Sequence, residues 1–211
     1  MNTSAPALPT PEMLRSDRFE RIDAMDFWLP STFTRDHGRK LSLMTIIYYG
    51  FLIASMLLFL MEILNPKYST VEYFLQFLLV FPVSFAGLLP LRELLRFPIY
   101  RRLGNGAEPH FFANWRRFAF TTVADGCVLD ARGISWLAMT PILVFGTLLV
   151  LLLLVFPALR LFISGLLFFV ISTGNADTAQ LNFLSKNRAR EIYRLDDLQT
   201  HSAIFYARKQ A

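Results

Sequence analysis

The chain has few of the residues that build disulfide bridges and most metal sites. Its 211 residues include one cysteine, Cys127, and three histidines, His37, His110 and His201. A single cysteine excludes an intramolecular disulfide, and the sequence has no Cys spacing typical of a zinc site. No two histidines stand four apart, the spacing at which a helix presents two rings to one metal ion. We therefore expect these three histidines to be surface or interface residues rather than ligands.

Charge is also scarce, since 18% of the residues are charged and 54% are hydrophobic. The apolar residues form runs long enough to cross a bilayer, which takes about 20 residues of helix. Within the last long stretch, Phe156-Pro157-Ala158-Leu159-Arg160 combines a proline with a charge and predicts a tight hairpin. The sequence thus predicts a mainly α, polytopic integral membrane protein with four transmembrane helices, at about 42–64, 73–91, 134–156 and 161–184.

Lysine and arginine are distributed unevenly among the segments outside these helices. Segments 1–41, 92–133 and 185–211 carry six, seven and six of them, whereas the other two connections carry only Lys67 and Arg160. Such basic segments stay on the cytoplasmic side of a membrane, which predicts cytoplasmic termini and a cytoplasmic central loop. An anionic inner leaflet explains the formal net charge of +5 without nucleic acid. The N-terminal segment has no apolar core, so we expect no signal peptide.

The cytoplasmic segments contain three local patterns. Phe19, Ile22 and Met25 recur at helical spacing and predict an amphipathic helix, which either lies on the membrane surface or packs against the other cytoplasmic segments. Asp125-Gly126 is a two-residue turn signal and predicts a small β-hairpin in the central loop. The segment 202–209, SAIFYARK, is expected to form a short strand.

Basic residues close to the helix ends are expected to anchor the protein at the membrane surface. Arginine and lysine at this level reach the headgroups while their stems lie along apolar surface. For Arg116 and Arg117, which follow Trp115, direct binding of lipid headgroups is an alternative. The predicted anchors are Arg39, Lys40, Arg101, Arg102, Arg116 and Arg117.

Four ionisable residues are predicted at membrane depth, where charge is costly and generally functional. Arg92, Glu93 and Arg96 stand at the inner end of the second helix, and Asp177 lies in the inner half of the fourth. Opposite charges at a similar depth predict an ion-paired cluster. The alternative is that both arginines are further anchors and that Asp177 bonds locally within its own helix.

The arrangement resembles a family of membrane-embedded zincin peptidases of unknown function that is similar to the site-2 proteases. In that family the second helix carries a His-Glu-x-x-His signature and a later helix supplies an acidic third ligand. The likeness covers about 19–209 and includes the amphipathic N-terminal stretch and the four helices, and it implies a bacterial inner membrane. Its motifs are Arg92-Glu93-Leu94-Leu95-Arg96, Thr140-Pro141 and Thr173-Gly174-Asn175-Ala176-Asp177.

The chain departs from this family at the two histidines, because Arg92 and Arg96 stand in their places. A guanidinium remains protonated and offers only donors, so it cannot bind zinc. By the resemblance, Glu93 corresponds to the catalytic glutamate and Asp177 to the third ligand, with Asn175 beside it. We therefore expect an arginine–carboxylate cluster at the former metal site.

The predicted function is that of a catalytically inactive, zincin-like membrane protein. It would act as a structural or interaction subunit without metal or cofactor, and its partners would be the lipid bilayer and other membrane subunits. The alternative is a membrane-embedded hydrolase or peptidase with a non-standard or metal-free active site.

Overall fold

The computed structural model describes residues 8–28, 30–38, 42–65, 67–104, 106–115 and 119–209. The described chain is mainly helical and includes two small antiparallel sheets. The helices are α1 Pro11–Leu14, α2 Ser31–Gly38, α3 Leu43–Ile63, α4 Thr70–Pro82, α5 Leu89–Leu94, α6 Phe97–Leu103, α7 Ala131–Val155, α8 Arg160–Ser172 and α9 Asn175–Lys186. The strands are β1 Phe19–Asp26, β2 His110–Asn114, β3 Ala119–Val123, β4 Val128–Asp130, β5 Ile192–Asp197 and β6 Ser202–Arg208.

Among the described residues, three helical stretches are long and apolar enough to cross a membrane. They are Leu43–Ile63, Thr70–Leu103 and Ala131–Val155. The pair Pro157–Ser172 and Asn175–Lys186, bent by 42°, makes a fourth if the two helices form one span. A short 3₁₀ turn, Pro157–Leu159, reverses the chain between α7 and α8, which confirms the predicted hairpin.

The second apolar stretch runs well beyond the predicted boundaries of 73–91. It begins with a capping box, in which Ser69 and Glu72 satisfy each other's backbone N–H groups, so α4 starts at Thr70. A π-helical segment, Val83–Leu88, follows Pro82 and leads into α5. Proline lacks an N–H donor and disturbs the regular ladder around it, which accounts for this position. The charged motif of α5 therefore lies within a continuous helical stretch rather than at its end.

The fourth apolar stretch is broken, although a single helix over 161–184 was predicted. Helix α8 ends at Ser172, and α9 begins at Asn175 after Thr173 and Gly174. A β-carbon on Gly174 would lie 2.9 Å from Cδ1 of Ile142. The break therefore packs tightly against α7 at a point where a side chain would not fit.

Strand β1 replaces the amphipathic helix predicted from Phe19, Ile22 and Met25, and that prediction is wrong. The strand joins a four-stranded antiparallel sheet in the order β1-β6-β5-β4. A bulge between Arg21 and Asp23 shifts the pairing register by one residue. Phe19 packs against a different apolar cluster from Ile22 and Met25. Strand β1 has apolar residues on both faces and contains a bulge, so its apolar residues recur at a spacing that resembles that of an amphipathic helix.

The central loop contains a β-hairpin, but its turn is not at Asp125-Gly126. Strand β2 pairs with β3 in a two-stranded sheet, so the connection runs through 115–118, of which 116–118 lie outside the described residues. The Asp125-Gly126 turn instead leads from β3 to β4, which pairs with β5. Asp125 Oδ1 accepts the N–H of Leu198, and the Gly126 N–H donates to the carbonyl of Asp196. These bonds attach the turn to the larger sheet, in which β6 confirms the predicted C-terminal strand.

Helix α8 packs so closely against its neighbours that Gly165 has no room for a side chain. A β-carbon there would lie 2.7 Å from Cγ2 of Val80 and 3.0 Å from Cε2 of Phe59. We expect Gly165→Ala to lower the free energy of unfolding by about 1–3 kcal/mol through overpacking. Gly146→Ala is the matched control, because no atom of the described chain lies within 4 Å of a β-carbon at that position in α7. Unfolding in mixed detergent micelles measures both variants, and equal stabilities would contradict the close packing.

Candidate functional site

Asp177 lies at the centre of a buried group of charged side chains. It stands in the first turn of α9, and its side chain is 1% exposed. Oδ2 accepts a hydrogen bond from Nη2 of Arg92, and Oδ1 accepts one from Nη2 of Arg96 at 2.6 Å. Because Arg92 belongs to α5 and Arg96 to the turn after it, one carboxylate joins α9 to this part of the second apolar stretch. We call Arg92, Glu93, Arg96 and Asp177 the arginine–carboxylate cluster.

Glu93 connects the cluster to the small sheet. Its Oε2 accepts a hydrogen bond from Nη1 of Arg96 at 2.8 Å and another from the backbone N–H of Thr122 at 3.1 Å. The Thr122 hydroxyl donates in return to the Glu93 carbonyl at 2.8 Å. Strand β3 is therefore bonded to α5 through both the side chain and the backbone of one buried residue.

The cluster is balanced in charge but has donors to spare. Two arginines face two carboxylates, so the four side chains sum to zero. Arg92 also donates from Nη1 to the Thr173 hydroxyl at 2.7 Å, which links it to the break between α8 and α9. Nε of Arg92 and Nε of Arg96 are buried, and neither has a hydrogen-bond acceptor within the part of the chain that the structure describes. Each of these two buried donors therefore carries a desolvation cost that no described acceptor offsets.

A second buried polar network lies beside the cluster and centres on Arg194 of β5. Arg194 donates to Asp196 Oδ1 at 2.7 Å, to Gln180 Oε1 at 2.8 Å and to the Tyr100 hydroxyl oxygen at 3.2 Å. The Tyr100 hydroxyl donates to Asp196 Oδ2 at 2.6 Å. Burial alone lowers the pKa of the Arg194 guanidinium, but the charge of Asp196 outweighs that effect and raises it. We call Arg194, Asp196, Tyr100 and Gln180 the Arg194 network.

The cluster and the network border one cavity of about 310 Å³. Its wall is formed by α5, β3, β5, α9, the end of β1 and the residues Phe27, Trp28 and Pro30 beyond it, so the cavity lies where the helices meet the strands. Charged side chains on the wall are Asp26, Arg92, Glu93, Arg96, Asp177 and Arg194. Its volume is at the lower end of the range of small-molecule sites.

The residues of the cluster do not fit a zinc ion. Arg92 and Arg96 occupy the positions at which the resemblance places histidine ligands, and both direct N–H donors at the Asp177 oxygens that would bind a metal. Within the described ranges, no three His, Cys, Asp or Glu side chains form a group that could hold a metal ion.

The structure brings together four of the five residues predicted for the site, which are those of the arginine–carboxylate cluster. Asn175 faces away, and its Oδ1 lies 3.1 Å from where a β-carbon on Gly38 of α2 would be. Arg101 and Arg102 are exposed in the last turn of α6, where surface anchors were predicted. The other predicted anchors, Arg39, Lys40, Arg116 and Arg117, lie outside the described residues.

Sequence reasoning missed the Arg194 network, although two spacings could have indicated it. Arg194 and Asp196 are two residues apart, which places both side chains on one face of a strand. Gln180 stands three residues after Asp177 and therefore on the same face of α9. The strand predicted in this part of the chain was 202–209, so the strand periodicity was not applied to Arg194.

The chain matches no family model, no curated protein and no solved structure.

Proposed function

We propose that the chain is a catalytically inactive, zincin-like protein of the bacterial inner membrane that serves as a structural or interaction subunit. The observation that carries this proposal is the double ion pair of Asp177 with Arg92 and Arg96. Two guanidinium groups take the place of the histidine ligands that the resemblance implies. The carboxylate that would bind a metal is instead saturated by charge-assisted hydrogen bonds.

The contacts of the two carboxylates also disfavour a metal-free hydrolase. An aspartyl mechanism needs two carboxylates that share one proton. Asp177 and Glu93 each direct an oxygen at Arg96, so the contact between them runs through this cation rather than through a shared proton. Neither carboxylate is therefore suited to hold the shared proton.

The cluster suits a structural role because it joins segments that are far apart in the chain. It connects α5 to α9 through Asp177 and α5 to β3 through Glu93. In a membrane with both termini in the cytoplasm, these contacts would fix the helices against the cytoplasmic strands. The apolar side chains that α3 leaves exposed would then face lipid or helices of partner subunits.

A metal analysis with designed variants tests the loss of the zinc site. We expect wild-type protein purified from membranes to contain no stoichiometric zinc, because arginine cannot act as a ligand. Arg92→His combined with Arg96→His should bind about one zinc per chain, since both positions direct their side chains at Asp177, which can complete the ligand set. The matched control, Arg92→Gln with Arg96→Gln, removes the same charges without adding ligands and should bind none.

Two results would count against the proposal. Stoichiometric zinc in the wild-type protein, with peptide hydrolysis that chelation abolishes, would show an active metalloenzyme. Migration of the protein from native membranes as a lone chain in mild detergent, with no partner under any solubilisation condition, would contradict the subunit role.

A further inference from the structure

The buried apolar side chains of the described chain form two large cores that have no residue in common. The sheet core takes its residues from α2, α6, the first turns of α7, α9 and the four-stranded sheet. The bundle core takes its residues from α3, α4, the later turns of α7 and α8. Helix α7 contributes Ile134 and Leu137 to the sheet core, and Phe145 and Leu149 to the bundle core. The protein is therefore packed as two bodies, and the border between them crosses α7 between Leu137 and Phe145.

Three helical stretches are irregular close to this border. The second apolar stretch contains the π-helical segment Val83–Leu88, α7 contains Pro141, and the fourth stretch breaks after Ser172 with a bend of 42°. Helices bend most readily at prolines and π-helical turns, because the regular ladder of backbone hydrogen bonds is interrupted there. Each of these three stretches thus has a position at which its two parts can change their relative angle.

Contacts between the helices place these irregular positions at one level. Ile142, which follows Pro141, lies so close to the break that a β-carbon on Gly174 would come within 2.9 Å of its Cδ1. Phe85 of the π-helical segment packs edge-to-face on Phe169 of α8, with the ring centroids 4.9 Å apart. A bend at this level would therefore involve all three stretches together.

Buried donors without acceptors gather on the second stretch at the same level. The Ser84 hydroxyl in the π-helical segment and the Nε atoms of Arg92 and Arg96 are buried and have no hydrogen-bond partner among the described residues. Native proteins leave few such groups, because each carries a desolvation cost. A conformation that contains several of them persists when surrounding contacts impose it. We infer that neighbouring contacts hold the second stretch in its present arrangement.

The arginine–carboxylate cluster supplies those contacts, and it lies across the border. Arg92 donates to the Thr173 hydroxyl at the break, at 2.7 Å, and to Asp177 of α9, which belongs to the body of the sheet core. Leu95, one turn after Arg92, packs against the bundle core, whereas Glu93 is bonded to β3. Helix α5 and its charges therefore couple the two bodies.

We propose that the protein has a hinge at this border and that the arginine–carboxylate cluster is the latch that keeps it closed. When the latch is released, the sheet core and its helices tilt relative to the bundle core about Val83–Leu88, Pro141 and the break after Ser172. The cavity widens in this motion, because its wall joins Leu89 and Thr173 at the border to the strands. This inference does not depend on the proposed loss of catalytic function, since it requires only the two cores and the helices that connect them.

The hinge is tested by distances between spin labels, measured by double electron–electron resonance on the full chain in lipid nanodiscs. Cys127→Ala first removes the buried native thiol. Labels attached through Phe156→Cys, at the end of α7, and Gln199→Cys, in the turn before β6, span the border at exposed positions. Leu64→Cys with Phe156→Cys reports on the bundle body alone. Arg188→Cys with Gln199→Cys reports on the sheet body alone.

Two variants release the latch. Asp177→Asn removes the charge that pairs with both arginines of the cluster. Arg92→Lys keeps the charge but loses the planar fork that reaches Asp177 and Thr173 together. The matched control is Asp196→Asn, which also leaves a buried arginine without its counter-ion but does so inside the sheet body.

We expect the distance across the border to shift or broaden by about 3 Å or more in Asp177→Asn, and by less in Arg92→Lys. A tilt of about 10° displaces the end of the roughly 20 Å of helix that follows Pro141 by this amount. The two distances within the bodies should remain as in the wild type, and Asp196→Asn should change none of the three. Circular dichroism and gel filtration select folded variants, and Arg92→Lys provides the reading if Asp177→Asn does not fold.

Three outcomes would overturn the proposal. In the first, the distance across the border stays as in the wild type in every folded latch variant. In the second, Asp196→Asn changes this distance as much as Asp177→Asn does, which would attribute the change to lower stability. In the third, the distances within the bodies change as much as the distance across the border, so the chain loosens throughout and has no hinge.

Discussion

Replacing Asp177 with asparagine is expected to lower the free energy of unfolding by about 3–5 kcal/mol. The variant keeps the shape of the side chain but leaves Arg92 and Arg96 as buried cations with only Glu93 to balance them. The loss of stability arises mainly from the buried positive charge that is left without a counter-ion, and only in part from the two lost hydrogen bonds. Unfolding in mixed detergent micelles, followed by circular dichroism, measures the difference from the wild type.

The matched control for this variant is Asp36→Asn on α2. Asp36 pairs with Arg35, but both side chains are more than half exposed, so water screens their interaction. We expect this change to alter the stability by less than about 1 kcal/mol. If Asp177→Asn were as mild as the control, the cluster would not hold the helices together as described.

The second large effect is expected for Asp196→Asn, at about 3–5 kcal/mol of lost stability. Asp196 is buried, and its carboxylate accepts hydrogen bonds from both Arg194 and Tyr100. Without that charge, the acceptors left to Arg194 among the described residues are all neutral: Gln180, the tyrosine oxygen and the amide oxygen at position 196. Its pKa, which Asp196 raises, should fall as the buried guanidinium loses its counter-ion. Chemical unfolding of the variant and the wild type provides the measurement.

Glu191→Gln is the control for this second prediction, because Glu191 lies in the same region and pairs with Arg208 of β6. Both side chains of that pair are more than half exposed, so its loss should cost less than about 1 kcal/mol. A loss of the same size in both variants would mean that the Arg194 network contributes no more than an ordinary surface pair.

The long apolar runs and the charges within them were the features that the sequence could predict. A helix that crosses a bilayer must be apolar over most of its length, so its location follows from composition. Within such runs, Arg92, Arg96 and Asp177 stand out because any charge there needs a partner. Opposite signs at a similar predicted depth led to the prediction of a contact among them, and the structure has this contact.

Other features escaped prediction because they depend on pairing between distant segments. Strand β1 has apolar residues on both faces since the sheet is covered on both sides, and its bulge removes the simple alternation that marks a strand. The Asp125-Gly126 turn is a genuine turn, but its bonds to Asp196 and Leu198 direct the chain into a different sheet. Local turn chemistry does not specify which strands pair after the turn.

The pairing of β1 with β6 also determines the order in which the protein can be completed. Phe19 lies opposite Arg208, so the partner of β1 leaves the ribosome only after every apolar helix has been synthesised. At typical rates of translation this delay is on the order of ten seconds or more. During that time β1 carries an unpaired hydrogen-bonding edge while the helices assemble. The four-stranded sheet can therefore close only after the last apolar helix has been synthesised.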